Sequence, residues 1–335
     1  MTTSEQQVIQ SILDKAIAAR EGLFEGGHRN ALRLFNGFLE GYADLAIDVY
    51  GTTVVLFDHR ETPDSHEVVI DRAANLVRER LPWLKAGILK KRNSPRPEEK
   101  RGRLIFGETP DRKVREDGTW YALDLRMNQD ASLYLDTRNL RKWVRENLRG
   151  KSILNAFAYT GSLGVAAWAS GAERVVQLDL NRQFLNLAKT SYTLNGFPIR
   201  KADFVAGDFW SKVSHFKKTG ELFDCVLLDP PFFSTTLKGV VDLARDSARL
   251  INKVRPLIRD GGRLVAVNNA LYVSGQDYMK ALEELCADGY LKIEELIPVP
   301  EDFCGYAETR VGKPITDPAP FNHSTKMAVL EVRRK

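Results

Sequence analysis

The sequence predicts an α/β protein in which a mostly parallel sheet, ending in an antiparallel strand, follows a smaller N-terminal α/β domain. From about residue 152, apolar strand patterns alternate with helical ones, and this repetition requires crossover connections and a parallel sheet. The last two strand patterns are joined by residues 300–324, which are rich in proline, glycine and polar residues. Because no crossover helix is expected there, the last strand should pair antiparallel.

Seven strands are expected in the larger domain, and helices separate most of them. The strand segments read SILNAFA, RVVQLDL, KADFVAGD, DCVLLD, RLVAVNN, LKIEELIPV and TKMAVLEVRR. The helices are expected over residues 162–170, 182–196, 237–258 and 276–287. The second of these ends on Asn195-Gly196, a pair typical of helix C-caps.

Residues 1 to about 145 have a different pattern, with short strands and one basic segment. A hairpin is expected with Tyr50-Gly51 at its turn, followed by a helix from Ser65 to Arg80. We predict four segments: an N-terminal helix (1–30), a small α/β accessory domain that binds RNA or another substrate (31–115), a β-rich connector (116–146) and the large domain (147–335).

Composition narrows the class of protein. The chain has 335 residues, of which 43% are hydrophobic and 28% charged, as expected for a globular enzyme of about two domains. No apolar run approaches the roughly 18 residues that a membrane span needs, and the N-terminus lacks a signal-peptide core. The three cysteines are far apart and lack metal-ligand spacing. We therefore expect a cytoplasmic protein without a metal or a membrane partner.

The net charge is +5 and the sequence pI about 9.0, but the positive charge is concentrated. The first basic run, residues 85–103, contains eight Lys/Arg and two Glu, and the second basic run, residues 138–151, contains six Lys/Arg and one Glu. Two such runs beside one predicted domain favour a polyanion such as RNA as the partner. The alternative is two solvated faces. The oligomeric state stays open, a homodimer included.

Small residues follow the first strand of the large domain, in NAFAYTGSLG. At a strand-to-helix turn they let the backbone approach a ligand closely, although the pyrophosphate pattern GxGxxG is missing. The alternative is a close-packed turn without a ligand. The candidate cofactor-binding residues here are Asn155, Phe157, Tyr159, Thr160 and Gly161.

The next two strands end in carboxylates. Asp179, followed by Leu180, stands where a carboxylate reaches a ribose diol in this topology, and Asp208-Phe209 offers an acceptor and a ring for adenine. Each acid could instead be a helix cap or a solvated loop residue. A parallel sheet with an antiparallel last strand is the layout of Rossmann-like class I methyltransferases, which the sequence resembles. We therefore predict S-adenosylmethionine as the cofactor.

The fourth strand ends in Asp229-Pro230-Pro231-Phe232. Proline cannot continue a strand, so the turn combines a carboxylate, unpaired carbonyls and an aromatic ring. These groups suit a planar nitrogen heterocycle, and the motif resembles the (D/N/S)PP(Y/F) signature of methyltransferases that act on nitrogens in planar groups. Phe232 would stack and Asp229 would orient the base or accept its proton. The alternative is a proline-terminated strand with the aromatic residues in the core.

A wider resemblance rests on NAFAYTGSLGVAA, VVQLDLN, LLDPPFFS and SLYLDTRNLR. Together they look like bacterial large-subunit (23S) ribosomal RNA methyltransferases that make 5-methylcytosine or 7-methylguanine, over about residues 31–335. The resemblance implies that Asp136 and Arg138 approach the cofactor. We expect no N-terminal PUA domain, because too little chain precedes residue 31. The fifth strand ends in Val267-Asn268-Asn269-Ala270, where the cytosine enzymes carry a Ser-Cys-Ser segment.

Methylation of a pyrimidine C5 needs a thiolate, whereas a base nitrogen attacks directly. Cys304 lies in the 300–324 loop, which we expect to cover the site, and is the candidate nucleophile if the acceptor is C5. The Asn-Asn pair and the PEDF segment resemble the 7-methylguanine branch of the family. This resemblance implies methylation of a base nitrogen in ribosomal RNA by direct in-line transfer. His323 is a further candidate for substrate contact. Three competing functions are a methyltransferase for a small molecule or a protein, a non-catalytic RNA-binding protein, and a nicotinamide dehydrogenase.

Overall fold

The structure, a computed structural model, describes residues 3–61, 67–312 and 318–334. The chain forms two compact units. The first comprises Met1–Leu135 and Pro300–Pro314, and the second comprises Asp136–Val299 and Ile315–Lys335. In the part of the chain that is described, no helix is both long and apolar enough to cross a membrane.

The first unit is built on a five-stranded sheet with the order β1-β2-β3-β4-β5 and a separate ribbon of β6 and β7. Its elements are α1 (Thr3–Ala19), β1 (Ala31–Asn36), α2 (Gly37–Glu40), β2 (Leu45–Tyr50), β3 (Thr53–Asp58), α3 (Glu67–Arg80), β4 (Ala86–Lys91), α4 (Pro97–Arg101), β5 (Arg103–Phe106), β6 (Lys113–Glu116) and β7 (Thr119–Ala122). The predicted hairpin is β2–β3, with Gly51 in the left-handed region at φ 63°. The predicted helix start at Ser65 lies outside the described residues.

The second unit contains a seven-stranded sheet with helices between its strands. Its elements are α5 (Arg138–Asn147), β8 (Ser152–Ala156), α6 (Ser162–Ala169), β9 (Arg174–Asp179), α7 (Arg182–Asn195), β10 (Phe204–Ala206), α8 (Phe209–Lys218), β11 (Phe223–Leu228), β12 (Phe233–Thr236), β13 (Gly239–Asp242), α9 (Ser247–Val254), β14 (Ile258–Asn268), α10 (Gly275–Cys286), β15 (Leu291–Ile297) and β16 (Lys326–Val332). Between β15 and β16 the chain forms α11 (Glu301–Cys304), which belongs to the first unit.

The strand order of this sheet is β10-β9-β8-β11-β14-β16-β15. The first five strands are parallel, and β16 pairs antiparallel with both β14 and β15. The predicted Rossmann-like fold with an antiparallel last strand is therefore confirmed.

A row of buried aliphatic residues runs across the sheet in register. Leu154 pairs with Val176 on one side and Val226 on the other, and the row continues through Leu264 to Leu330. All five belong to one core cluster with residues of α8, α9 and α10. Because burial on this row fixes the register of the strands, it also aligns the carboxyl ends of the parallel strands at one edge.

Three segments differ from the sequence predictions. Residues 237–258 were expected to be one helix, but the hairpin β12–β13 precedes the shorter helix α9. The β-branched residues of FSTT and GVVD, joined across Leu237-Lys238, favour a hairpin over a helix. The third strand, β10, is shorter than the predicted segment KADFVAGD. The segment predicted to be a β-rich connector contains one complete strand, β7, and most of the helix α5.

Candidate active site

The strand ends of the second unit bring several predicted residues to one sheet edge. Ala156 of β8 is level with Leu178 of β9 and Leu228 of β11. The residues that follow each of these, Phe157, Asp179 and Asp229, therefore emerge at the same edge. This is the edge where ligands bind in open α/β sheets.

The turn after β8 has an unusual backbone. Phe157 and Tyr159 lie in the left-handed region at φ 59° and 50°, and Gly161 follows at φ 77°. Non-glycine residues in this region typically cost of order 1 kcal/mol or more and cluster at functional sites. The backbone N–H of Ala158 donates to Leu178 O at 2.9 Å, and that of Gly161 donates to Ala158 O at 2.7 Å. The turn is thus fixed against β9. Thr160 is buried within it.

A buried amide pair supports this turn from below. Asn155 Nδ2 donates to Gln177 Oε1 at 2.8 Å, and Gln177 Nε2 donates to Gly161 O at 3.3 Å and to Tyr192 Oη at 3.1 Å. Asn155 is 1% exposed, so its side chain shapes the turn through Gln177 instead of facing a ligand. A Cβ on Gly164 would stand 2.0 Å from Gln177 Nε2. This glycine is therefore required by helix–strand packing.

Asp179 is held by the turn that it faces. Its Oδ2 accepts from Tyr159 N at 2.8 Å, and its Oδ1 accepts from Asn181 N at 2.7 Å. Burial raises the pKa of this carboxyl, and the backbone N–H donors oppose that shift. The next residue, Leu180, is 64% exposed. The edge thus presents a fixed carboxylate beside an uncovered apolar side chain.

Asp208 is the N-cap of α8, so the helix-cap interpretation of this acid is correct. Its Oδ1 accepts from Ser211 N at 2.9 Å, and its Oδ2 accepts from Thr236 Oγ1 at 2.6 Å. Burial acts to raise the pKa of Asp208, but these hydrogen bonds outweigh it and the pKa is lowered. Phe209 is buried and its ring stacks on Phe157, with centroids 4.5 Å apart.

Asp229 has an environment that disfavours its charge. Its carboxylate has no hydrogen-bond or ion-pair partner among the residues that the structure describes. Burial, and secondarily the negative charge of Asp136, raise its pKa from 3.8 to about 7. A carboxyl that titrates near neutral pH and has no protein partner is typical of a group that interacts with a substrate.

The rest of the proline turn is completed by the residue that follows β14. Asn269 Nδ2 donates to Pro230 O at 3.4 Å, while Asn269 Oδ1 is buried and has no hydrogen-bond partner in the described part of the chain. Pro231 is exposed, and the ring of Phe232 is 44% exposed. Phe232 is therefore not a core residue, which argues against a purely structural role for this turn.

Asp136 is fixed by a residue that sequence reasoning missed. Thr325 Oγ1 donates to Asp136 Oδ2 at 2.8 Å, and Thr325 N donates to His323 Nδ1 at 3.1 Å. Thr325 thus connects two predicted candidates just before β16. Arg138 is partly exposed at the first position of α5.

The comparison with protein families decides the class. Residues 88–306 match the family of S-adenosylmethionine-dependent methyltransferases, which is more than half of the chain. The chain belongs to this family. The cofactor predicted from the strand ends, S-adenosylmethionine, is accordingly the family's methyl donor.

Curated relatives of this methyltransferase carry related names. YwbD of Bacillus subtilis, named as a ribosomal RNA large subunit methyltransferase, is 29% identical over 310 residues, which cover 89% of this chain and 76% of YwbD. The ribosomal RNA large subunit methyltransferase K/L of Shewanella frigidimarina is 32% identical over 249 residues, 72% of this chain. The match covers only 34% of that longer protein.

Solved structures share the fold of this methyltransferase. A methyltransferase crystallised with S-adenosylhomocysteine superposes with a TM-score of 0.83 at 20% identity, covering 98% of this chain and 82% of the other. An S-adenosylmethionine-dependent methyltransferase from Streptococcus mutans gives 0.82 at 19% identity, with 98% and 81% covered.

The residues of the methyltransferase edge fit an adenosyl group by their chemistry. Each oxygen of Asp179 takes one backbone N–H, and a carboxylate has further lone pairs for the hydroxyls of a ribose. Leu180 offers an exposed apolar surface next to it. Asp179 and Leu180 are therefore the residues that we expect to hold the nucleoside, on a turn shaped by Asn155 and Gly161.

Two of the three cysteines of the methyltransferase are buried, and the third is partly buried. Cys304, on α11, is 1% exposed and belongs to the first unit, in which Arg33 N donates to Asp302 Oδ2 at 3.2 Å. Cys225 is buried within β11, and burial raises the pKa of its thiol. Cys286 is partly buried on α10. Cys304 was expected to lie in a loop, but it lies on the short helix α11, which packs against β1, and its side chain is buried.

The two basic runs are partly structural. In the first, Lys90 is fully buried and its Nζ donates to the carbonyls of Arg101, Asn128 and Asp130 at 2.7, 2.8 and 3.1 Å. In the second, Arg141 is fully buried and its Nη1 donates to Thr137 Oγ1 at 3.0 Å. Counting charges along the sequence therefore overstates the positive surface that these runs present.

Proposed function

We propose that this methyltransferase transfers a methyl group to a base nitrogen of ribosomal RNA, in the large subunit. The observation that carries the proposal is the turn after β11. It holds the unpartnered carboxyl of Asp229 and the exposed ring of Phe232, and it is contacted by Asn269, whose Oδ1 is buried without a partner among the described residues. S-adenosylmethionine supplies an electrophilic methyl group, so the protein's task is to align and polarise the acceptor.

The turn can recognise a heterocycle with both hydrogen-bond and stacking groups. Phe232 offers an exposed ring for stacking on the base. The unpartnered Asn269 Oδ1 suits a donor such as an exocyclic amino group, because a buried acceptor without a donor is costly. Asp229, with a pKa near 7, can accept a hydrogen bond from the base or take its proton.

The position of the cysteines favours a nitrogen over a pyrimidine C5. Transfer to C5 requires a thiolate that adds to the neighbouring ring carbon. Cys225 lies inside β11, Cys286 lies on α10, and Cys304 on α11 is buried. A nitrogen lone pair needs no such covalent step, so the acidic turn is sufficient for it.

The names of the relatives support RNA as the substrate class. Both YwbD and the K/L protein are named as methyltransferases of large-subunit ribosomal RNA. The first unit, which contains the predicted accessory domain 31–115, is our candidate for an additional RNA-binding surface. In the first basic run, Arg92 is partly exposed and Arg96 is exposed, although Asp130 and Glu99 partner them.

The test is methyl transfer to defined RNA. Ribosomal RNA from a strain without this gene, offered as naked RNA, partial particles and whole subunits, is incubated with the enzyme and tritiated S-adenosylmethionine. Nucleoside mass spectrometry of the product should give an N-methylated base. Finding 5-methylcytidine would contradict the nitrogen assignment, and no transfer to any of the three forms would sink the proposal.

A second experiment separates the two chemistries directly. RNA containing 5-fluorocytosine traps enzymes that form a covalent bond to the pyrimidine, because the fluorine blocks their release. We expect no covalent complex with this methyltransferase. A complex that disappears in Cys304→Ala would restore the cysteine mechanism.

A further inference from the structure

An open cleft of about 770 Å³ lies in the second unit, outside the turns described above. It is formed by α8, α9 and the turn of the β12–β13 hairpin. Its lining consists of Trp210, Ser211, Ser214, His215, Lys217, Lys218, Lys238, Arg249, Asn252 and Lys253. Four lysines, one arginine and one histidine thus line the cleft together with no carboxylate.

The cations of this cleft are poorly neutralised. Lys217, Lys218 and Lys238 have no carboxylate partner among the residues that the structure describes, and all three are exposed. Lys253 Nζ donates to the neutral Ser214 Oγ at 2.9 Å. Arg249 has a partner, Asp246, but at 3.7 Å and with both side chains well exposed. Like charges gathered without counter-charges create a positive potential that favours an anionic ligand.

Electrostatic coupling inside the cleft points the same way. Lys217 is exposed but not fully solvated, and the partial burial of its ammonium group lowers its pKa, as does the positive charge of Lys253. An anion between these two side chains would relieve their repulsion. Their proximity is therefore unfavourable in isolation and favourable with a bound anion.

Trp210 indicates which part of a nucleic acid the cleft can contact. The ring is only 8% exposed, and the guanidinium carbon of Arg249 lies 4.6 Å from its centroid. Because Arg249 covers the ring, Trp210 cannot stack on a base, and it instead holds the arginine by a cation–π contact. The cleft therefore offers charges for phosphates and no aromatic surface for bases.

The β12–β13 hairpin connects the cleft with the acceptor turn. Its first strand starts at Phe233, directly after Phe232, and Lys238 lies at its tip. Four residues at about 3.3 Å each make this strand about 13 Å long, a distance that a few nucleotides span. Thr236 in the same hairpin donates to Asp208, which fixes the hairpin on the start of α8.

We propose that this cleft binds backbone phosphates of the RNA next to the methylated nucleotide. The inference rests on the proposed function, because it takes RNA as the substrate. The cleft then supplies sequence-independent affinity, while the acceptor turn reads the base.

The test variant is Lys217→Gln/Lys218→Gln/Lys238→Gln, which removes three exposed and unpartnered charges. The matched control is Lys201→Gln/Lys280→Gln/Lys292→Gln, which removes three exposed lysine charges elsewhere in the second unit. Both variants change the net charge equally, and thermal unfolding checks that both fold. Binding of ribosomal RNA is measured against salt concentration, and methyl transfer is measured at saturating S-adenosylmethionine.

We expect the cleft variant to bind RNA about ten- to fifty-fold more weakly at about 0.15 M salt, with a salt slope smaller by about 2. Its KM for RNA should rise while its affinity for S-adenosylmethionine stays unchanged. The control should match the wild type. If the two variants bind RNA equally well, whether both are weakened or both match the wild type, the cleft assignment is overturned. If the wild type neither binds nor methylates RNA, the proposed function fails and this inference fails with it.

Discussion

Replacing Asp229 with asparagine should stabilise the folded protein at neutral pH and strongly reduce methyl transfer. The carboxyl is partly buried, has no partner among the described residues, and has its pKa raised from 3.8 to about 7. When folding raises the pKa of an acid, the folded state is not penalised as long as the acid is protonated in both the folded and the unfolded protein. Once the unfolded protein can release the proton more easily than the folded one, the fold loses stability. The contribution of Asp229 is therefore complete below about pH 4 and is lost as the pH rises through about 7.

The size of the effect follows from the shift. About three pKa units at about 1.4 kcal/mol each set a ceiling of about 4 kcal/mol. Asp229 retains some contact with solvent, so we expect Asp229→Asn to gain about 1–3 kcal/mol above pH 7. The gain should shrink toward zero near pH 4. Methyl transfer should fall on the order of 100-fold, because asparagine cannot take a proton.

The assay is urea denaturation of both proteins between pH 4 and 9, with S-adenosylmethionine binding measured in parallel. Asp224, at the other end of β11, provides a control of opposite sign. Its carboxylate accepts from Ser152 N at 2.7 Å and pairs with Arg259 at 3.0 Å, and its pKa is lowered although burial opposes this. Asp224→Asn should therefore destabilise the fold at neutral pH, with the loss shrinking at low pH.

One outcome would refute this reasoning. If Asp229→Asn were less stable than the wild type at pH 8, the carboxylate would be making a stabilising interaction. Unchanged turnover in a stabilised variant would leave the electrostatic account intact and remove Asp229 from the chemistry.

Three further predictions concern the turn, the cysteine and a buried lysine. Gly161→Ala should lose at least about 2 kcal/mol of folding stability and weaken S-adenosylmethionine binding, because φ is 77° and the added Cβ would stand 2.6 Å from that of Ala188. The control Gly196→Ala, at φ 69° with open space around it, should lose only about 1 kcal/mol of stability and bind the cofactor normally. Equal losses of stability in the two variants would contradict the packing argument. Cys304→Ala should keep methyl transfer within about twofold and lose about 1 kcal/mol of stability, and an inactive but folded variant would contradict this. Lys326→Met should lose about 2–4 kcal/mol in denaturation, since its Nζ donates to the carbonyls of residues 270, 273 and 324; a neutral result would mean that these carbonyls are satisfied otherwise.

The strand ends show how much sequence reasoning could reach. Asp179 and Asp229 follow apolar runs, and strand polarity in a parallel sheet places both at one edge. That inference needs only local periodicity and the handedness of crossovers, so it was within reach. The hairpin β12–β13 was missed because its short segments fall in a window that also fits a helical pattern.

Burial and partners were beyond the sequence. Lys90 and Arg141 looked like surface charges in basic runs, but each is enclosed by residues distant in sequence or by its own helix. Asn155 looked like a ligand-facing residue, but Gln177 takes its amide. Thr325, which fixes Asp136, could have been found by its place just before the last strand, although nothing in its neighbourhood marks it as functional.

The sequence by itself determined the parallel sheet, the antiparallel last strand and the edge at which Asp179 and Asp229 emerge, because these depend on patterns within single elements. Only the tertiary structure decided the state of the groups. The raised pKa of Asp229, the enclosure of Cys304 in the first unit and the gathering of Lys217, Lys238 and Lys253 in one cleft all depend on residues brought together from separate segments. Charge and solvent access are properties of an environment, and the fold creates that environment.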